Sequence, residues 1–174
     1  LEVTHHGPWL SVPSLFIEVG STSDTWGHLG AASLLGNLIH EGLGLDGGAG
    51  FGSWDAVQNA GEPVLITLGG GHYAPRGNLT ASEDGIWLGH MLATYALPFE
   101  GQPEEGDEAS GFWKQSIDAA YAATRTAFPN GNIVFSMDKK AFKGWQRQAI
   151  RHHLSQLGVP LLKRNGVLDL VQSS

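Results

Sequence analysis

Three glycines, a histidine, a tyrosine and an arginine fall within GGGHYAPR, Gly69–Arg76. Glycines in a row let a backbone turn with φ > 0 and approach a ligand closely. His72 and Tyr73 follow at once, and Pro75 fixes the chain beyond them. Arg76 can grip a phosphate or carboxylate with its fork of donors. The stretch lacks the Gly-Lys-Ser/Thr ending of a Walker loop and the G-x-G-x-x-G spacing of a dinucleotide fingerprint. A second stretch, THHGP (Thr4–Pro8), places His5 and His6 side by side. On a strand their side chains point to opposite faces, so at most one reaches a reacting centre. His6, next to Gly7, is assigned to it, and His5 to support from behind.

Glu18 stands near the end of the apolar run LFIEV, Leu15–Val19. A carboxylate in a buried strand is costly unless it is paired or binds a metal. His90 follows Gly89 in another apolar run. Together His6, Glu18, His72 and His90 make a nitrogen and oxygen set suited to zinc, although their spacing matches no local zinc motif. The chain has no cysteine, which excludes disulfides and thiolate metal sites, and no G-x-S-x-G marks a serine nucleophile. His28 and His40 lie on a predicted helix and read as surface or packing residues.

The net charge of −7 argues at first against a nucleic-acid partner. Its distribution matters more than its sum. Of the ten Lys and Arg residues, seven (Lys139, Lys140, Lys143, Arg147, Arg151, Lys163, Arg164) cluster near the end of the chain, and five acids crowd Glu100–Glu108. Lys143, Arg147 and Arg151 recur every four residues, on one helical face. That face suits either plain solvation or the tracking of phosphates.

These residues must be positioned by strands and helices. Leu1–His6 and Leu15–Val19 read as strands, and a helix follows to Ile39, stopped by Gly42 and Gly44. Val64–Leu68 (VLITL) is a continuous apolar run, as in a central strand buried on both faces. Ile86–Leu97 suits a helix or a strand. Helices are predicted over 112–128 and 141–157, with short strands at Ile133–Phe135 and Val159–Leu162. Residues 44–61 and 99–110 read as surface loops or insertions. The alternation indicates an α/β sandwich with a mixed, mostly parallel sheet, in one domain over 1–174. The candidate residues then collect at the carboxyl ends of the strands, where open α/β sheets bind ligands. No apolar run reaches the roughly 18 residues of a membrane span, and no signal peptide is visible, so no membrane is expected and the cytoplasm is the default compartment.

From Val3 to about Gly158 the chain resembles the D-aminoacyl-tRNA deacylase family of archaea and plants. The blocks that carry the likeness are THHGP, PSLFIEVGST (Pro13–Thr22), GGGHYAPR, GH (Gly89–His90) and FKGWQR (Phe142–Arg147), in matching order and spacing. THHGP and GGHYAP together are specific. The resemblance implies an ester hydrolase that frees tRNA from D-amino acids, with aminoacyl-tRNA as partner and no protein partner implied. It implies a three-layer α/β/α sandwich similar to phosphorylases and peptidyl-tRNA hydrolases, and zinc association. It matches His5 and His6 to the family's paired histidines, Glu18 to its strand carboxylate, His72, Tyr73 and Arg76 to its GHYAPR block, His90 to its GH and Lys143 to its KG. Members carry a sizeable amino-terminal half before THHGP, so a fragment or a short homologue is expected.

Two routes to ester hydrolysis follow. Zinc on His6, Glu18 and His72 would lower the pKa of its water to about 7. Alternatively a histidine acts as general base, with a glycine-turn amide or Lys143 stabilising the oxyanion. In either, His6, His72, Tyr73 and Lys143 form the expected catalytic set, and Arg76, Lys143, Arg147 and Arg151 the expected tRNA contacts. Two other classes use the same residues: a zinc-dependent peptidase or amidohydrolase, and a non-catalytic module that binds tRNA ends.

Overall fold

The computed structural model of the chain describes Val3, residues 17–48 and residues 50–172. Among the described residues the chain divides into two compact units, one of Val3 with residues 56–172 and one of residues 17–48 with 50–55.

In the smaller unit, α1 spans Leu29–Gly42. It is capped by His28, read from the sequence as a surface or packing residue: its Nδ1 accepts a hydrogen bond from the Ala31 amide at 3.1 Å, satisfying a donor that has no partner inside the helix. The helix stops at Gly42 as expected, and Gly44 follows with φ +62°. The strand expected at Leu15–Val19 is not formed over its described part. Residues 17–20 are irregular and exposed, so Glu18 is not a buried carboxylate and the cost of burying one does not arise there.

The larger unit is built on four strands: β1 (Pro63–Leu68), β2 (Trp87–Leu92), β3 (Asn132–Met137) and β4 (Leu161–Leu162). Their order is β2-β1-β3-β4, and every pair among them is parallel. The sheet is thus all-parallel among the described residues rather than mixed. All six residues of β1 are buried, which explains its unbroken apolar sequence: a parallel strand covered on both faces has no polar side.

Helices cover both faces. On one, α2 (Pro75–Ala81) and α5 (Arg164–Gln172) pack against the sheet, with Val167 joining Leu65 and Val134 in a buried cluster. On the other lie α3 (Trp113–Ala127) and α4 (Gly144–Gln156). The ring of Tyr121 on α3 meets that of Phe135 at 6.2 Å. Trp113 and Asp118 on α3 contact His153 on α4, whose Nε2 lies 2.7 Å from Asp118 Oδ1. The result is the three-layer sandwich expected.

The ambiguous run at 86–97 resolves into β2 followed by a 3-10 turn at Thr94–Ala96. Gly89 explains both the ambiguity and the outcome. Leu88 pairs with Leu65 and His90 with Ile66, so Gly89 is an extra residue in the ladder. A Cβ there would lie 2.7 Å from Thr124 Cγ2, so glycine lets α3 approach the strand. Two helices go beyond the sequence expectation. The seven residues of α2 begin with Pro75 at the first helical position, after Ala74 in a left-handed conformation. The nine residues of α5 contain Gly166.

The topology fixes where a site can form. From β1 the chain crosses to β2 on one side, and from β3 it crosses to β4 on the other, with α2 and α4 on opposite faces. The crevice beyond the carboxyl ends of β1 and β3 is therefore the point where the strand order reverses, the usual ligand position in such sheets. Val3 reaches the same edge: it is buried against Ala74, Met91 and Ala93, and its amide donates to the His72 carbonyl at 3.0 Å. Among the described residues no helix is long and apolar enough to cross a membrane.

Candidate active site

The glycine turn leaves β1 at Leu68 and is held by its neighbours. Gly69 and Gly70 have φ of +94° and +92°. The Gly69 amide donates to the Leu92 carbonyl at 2.7 Å. The Gly70 carbonyl accepts from the Thr94 amide at 2.9 Å and from Thr94 Oγ1 at 3.0 Å. Behind the turn Ala74 adopts φ +32° and is buried, a strained conformation for a residue with a Cβ. The amides of Gly70 and Gly71 donate to no acceptor among the described residues. Two adjacent N–H groups of this kind at a strand end suit a negatively charged oxygen.

Thr94 is a residue that nothing in the sequence singles out. Its contribution rests on a contact 24 positions away in the chain. Thr94→Val keeps the shape and removes the hydroxyl. A stability loss of about 0.5–1.5 kcal/mol is expected. Thermal melts check this, and an unchanged melt would deny the hydroxyl its clamping role.

His72 lies half-buried on the turn, and Tyr73 beside it is exposed. Their rings meet edge to face at 4.9 Å, so Tyr73 limits the orientations of the imidazole. The Tyr73 carbonyl accepts from Asn78 Nδ2 at 2.6 Å, tying it to α2. Arg76 bonds Asp138 at the end of β3, joining the two loops across the crevice, while its side chain stays half exposed. Asp138 Oδ1 also accepts from the Lys140 amide at 2.9 Å.

Two cavities open along this edge. A cleft of about 500 Å³ is lined by Gly70, Gly71, Thr94, Tyr95, Asp138, Lys140 and Ala141. A groove of about 690 Å³ is lined by Lys139, Lys140, Phe142, Gly144, Arg147, Gln148 and Arg151. Four of those seven residues are cations, and no acid is among them. Arg147 also sets the path of the loop after β3, because its Nη1 donates to the carbonyls of Lys139 at 3.0 Å and Phe142 at 2.8 Å. The expected row of Lys143, Arg147 and Arg151 is thus met in part. Lys143 caps α4, exposed, its amide donating to Gln146 Oε1 at 2.7 Å, and it does not line the groove. Lys139 and Lys140 take that place instead.

The other expected residues fall elsewhere. His90 stands inside β2 opposite Ile66, and its Nδ1 lies 3.0 Å from Thr124 Oγ1. The Thr124 hydroxyl donates its proton to the Ala120 carbonyl at 2.8 Å, so Nδ1 of His90 must be the donor to Thr124. Burial holds the pKa of His90 below its usual value, which favours the neutral ring. Glu18 belongs to the smaller unit. His5 and His6 lie outside the described residues. Among the described residues no three His, Asp or Glu side chains are grouped where they could hold a metal ion.

Comparison with known proteins bears on what this edge does. The family profile described as D-aminoacyl-tRNA deacylase matches residues 1–162. A D-aminoacyl-tRNA deacylase of Arabidopsis thaliana is 42% identical over 170 residues, covering 95% of this chain and 53% of the relative. One from Methanosarcina barkeri is 33% identical, covering 97% of this chain and 45% of the relative. One from Pyrococcus abyssi is 30% identical, covering 93% and 50%. The chain spans about half the length of the curated relatives it matches. With the GGGHYAPR turn at the sheet's reversal point and a match over nearly its whole length, the chain belongs to the D-aminoacyl-tRNA deacylase family.

Proposed function

We propose that the chain hydrolyses the ester joining a D-amino acid to the terminal ribose of tRNA, releasing the free D-amino acid and tRNA. One observation carries the reading: the amides of Gly70 and Gly71, which donate to no acceptor among the described residues, adjoin His72 on the turn after the central strand. The cationic groove on the same edge supports a polyanionic substrate.

In this mechanism His72 removes a proton from water as the water oxygen attacks the ester carbonyl carbon. The carbonyl oxygen takes the negative charge and is stabilised by the Gly70 and Gly71 amides, an interaction worth about 10²–10³ in rate per donor. The tetrahedral intermediate then collapses. The carbon–oxygen bond to the ribose breaks, and protonated His72 returns its proton to the leaving ribose hydroxyl. Tyr73 holds the His72 ring, and Arg76 with Asp138 fixes the turn against the loop after β3.

Deacylation of matched D- and L-aminoacyl-tRNA, with and without a chelator, tests this mechanism. Release from the D-form with little from the L-form is the expected result. Loss of activity on chelation, restored by zinc, would support the metal set that includes His6. Salt-sensitive tRNA binding without release from either form would replace the enzyme by a tRNA-end binding module.

A further inference from the structure

The two cavities share one lining residue, Lys140, so the cationic groove and the cleft beside the glycine turn both border it. That cleft is also lined by Tyr95, a large aromatic that remains 58% exposed. Its position is not loose. Ala93 and Leu97 on either side of it are buried, and Thr94 is bound to Gly70 through both its amide and its hydroxyl. The 3-10 turn is closed by Ala96 N–H to Ala93 and Leu97 N–H to Thr94, at 3.0 and 3.1 Å. The fold thus fixes the backbone around Tyr95 and leaves the ring outside the core.

Resting on the deacylase reading above, we propose that Tyr95 is the stacking platform for the terminal nucleoside of the tRNA, and that Lys140 marks where the strand passes from the cationic groove into the cleft. The chemistry at each end agrees with this polarity. Phosphates match Lys139, Lys140, Arg147 and Arg151, whereas the cleft offers an aromatic face and the two glycine amides. A base stacks on an aromatic ring whatever its identity, which suits an enzyme that must accept many tRNAs. A nucleoside on Tyr95 places the ester of its own ribose towards Gly70 and Gly71, which line the same cleft. Tyr95 is a positioning residue here: it holds the substrate's end and takes no part in proton transfer.

The experiment compares binding of uncharged tRNA with and without its 3′-terminal adenosine. The unsubstituted chain should bind the intact form about tenfold more tightly, the range expected for one stacked base. Tyr95→Ala should lose that preference, and Tyr95→Phe should keep it. Lys140→Ala should weaken both forms alike and reduce the salt slope of binding by about 0.7, the value for one phosphate contact on a single strand. A preference for the terminal adenosine that survives in Tyr95→Ala overturns the assignment of the platform, even where deacylation by the unsubstituted chain upholds the enzyme. Absence of both tRNA binding and deacylation in the unsubstituted chain overturns the platform and the deacylase reading together.

Discussion

His72→Ala is expected to lower D-aminoacyl-tRNA hydrolysis by about 10²–10⁴, the usual contribution of a positioned general base. Its fold should be intact. What holds the turn is backbone: Val3 N–H to the His72 carbonyl, Gly69 N–H to Leu92, Ala74 N–H to Gly71, and Thr94 to Gly70. The imidazole is half-buried and meets Tyr73 edge to face, and its removal leaves these backbone bonds in place. Thermal melts and single-turnover rates on the same preparation separate the two effects. A large rate loss at unchanged melting temperature assigns the chemistry to the side chain. Near-normal turnover would remove His72 from the mechanism and move the search for a base to the histidine pair. His72→Gln adds a control, since it retains a hydrogen-bonding side chain but cannot take the proton at neutral pH. It should be nearly as slow as the alanine variant.

The parts of the fold legible in the sequence are those decided by local composition. The run VLITL suits only a strand covered on both faces, and it is one. The helix at 113–127 and the helix at 144–156 carry enough apolar periodicity to declare themselves. What stays hidden depends on partners distant in the chain. The letters of β2 suit a helix equally well because Gly89 breaks their alternation, and the reason for that glycine is Thr124 on α3. α2 is masked because its N-terminal flank is a strained alanine rather than a capping serine or aspartate. The site divides in the same way. His72 and the glycines announce themselves through residue type and adjacency. Thr94, Tyr95 and Lys140 do not, because an ordinary threonine, tyrosine or lysine gains a role only once parallel pairing brings the ends of β1, β2 and β3 to one edge. The expected burial of Glu18 shows the reverse error. It is inferred from the apolar letters around the residue, and residues 17–20 are exposed.

Gly69→Ala should be the most damaging single methyl group at this edge. The backbone there has φ +94°, outside the conformations an L-residue tolerates without strain. The added Cβ would lie 2.6 Å from Phe142 Cε2 and 2.8 Å from the Ala141 methyl. Phe142 cannot swing aside, since its side chain is buried and its carbonyl is held by Arg147. Strained backbone costs about 1–3 kcal/mol, and overpacking a tight contact about 1–3 kcal/mol more. A destabilisation of about 2–6 kcal/mol is therefore expected by denaturant titration. If the chain relieves the clash instead by shifting the loop after β3, stability will fall less. Activity will still fall, because that loop carries Asp138 and Lys140 into the cleft. Gly71→Ala is the matched control two positions on. A Cβ there meets nothing within 4 Å among the described residues, and the residue is not among those with positive φ. It should melt like the unsubstituted chain while keeping the amide proposed to face the oxyanion. Loss of turnover in Gly71→Ala at full stability would then report crowding of the substrate itself, and locate the acyl group over that residue.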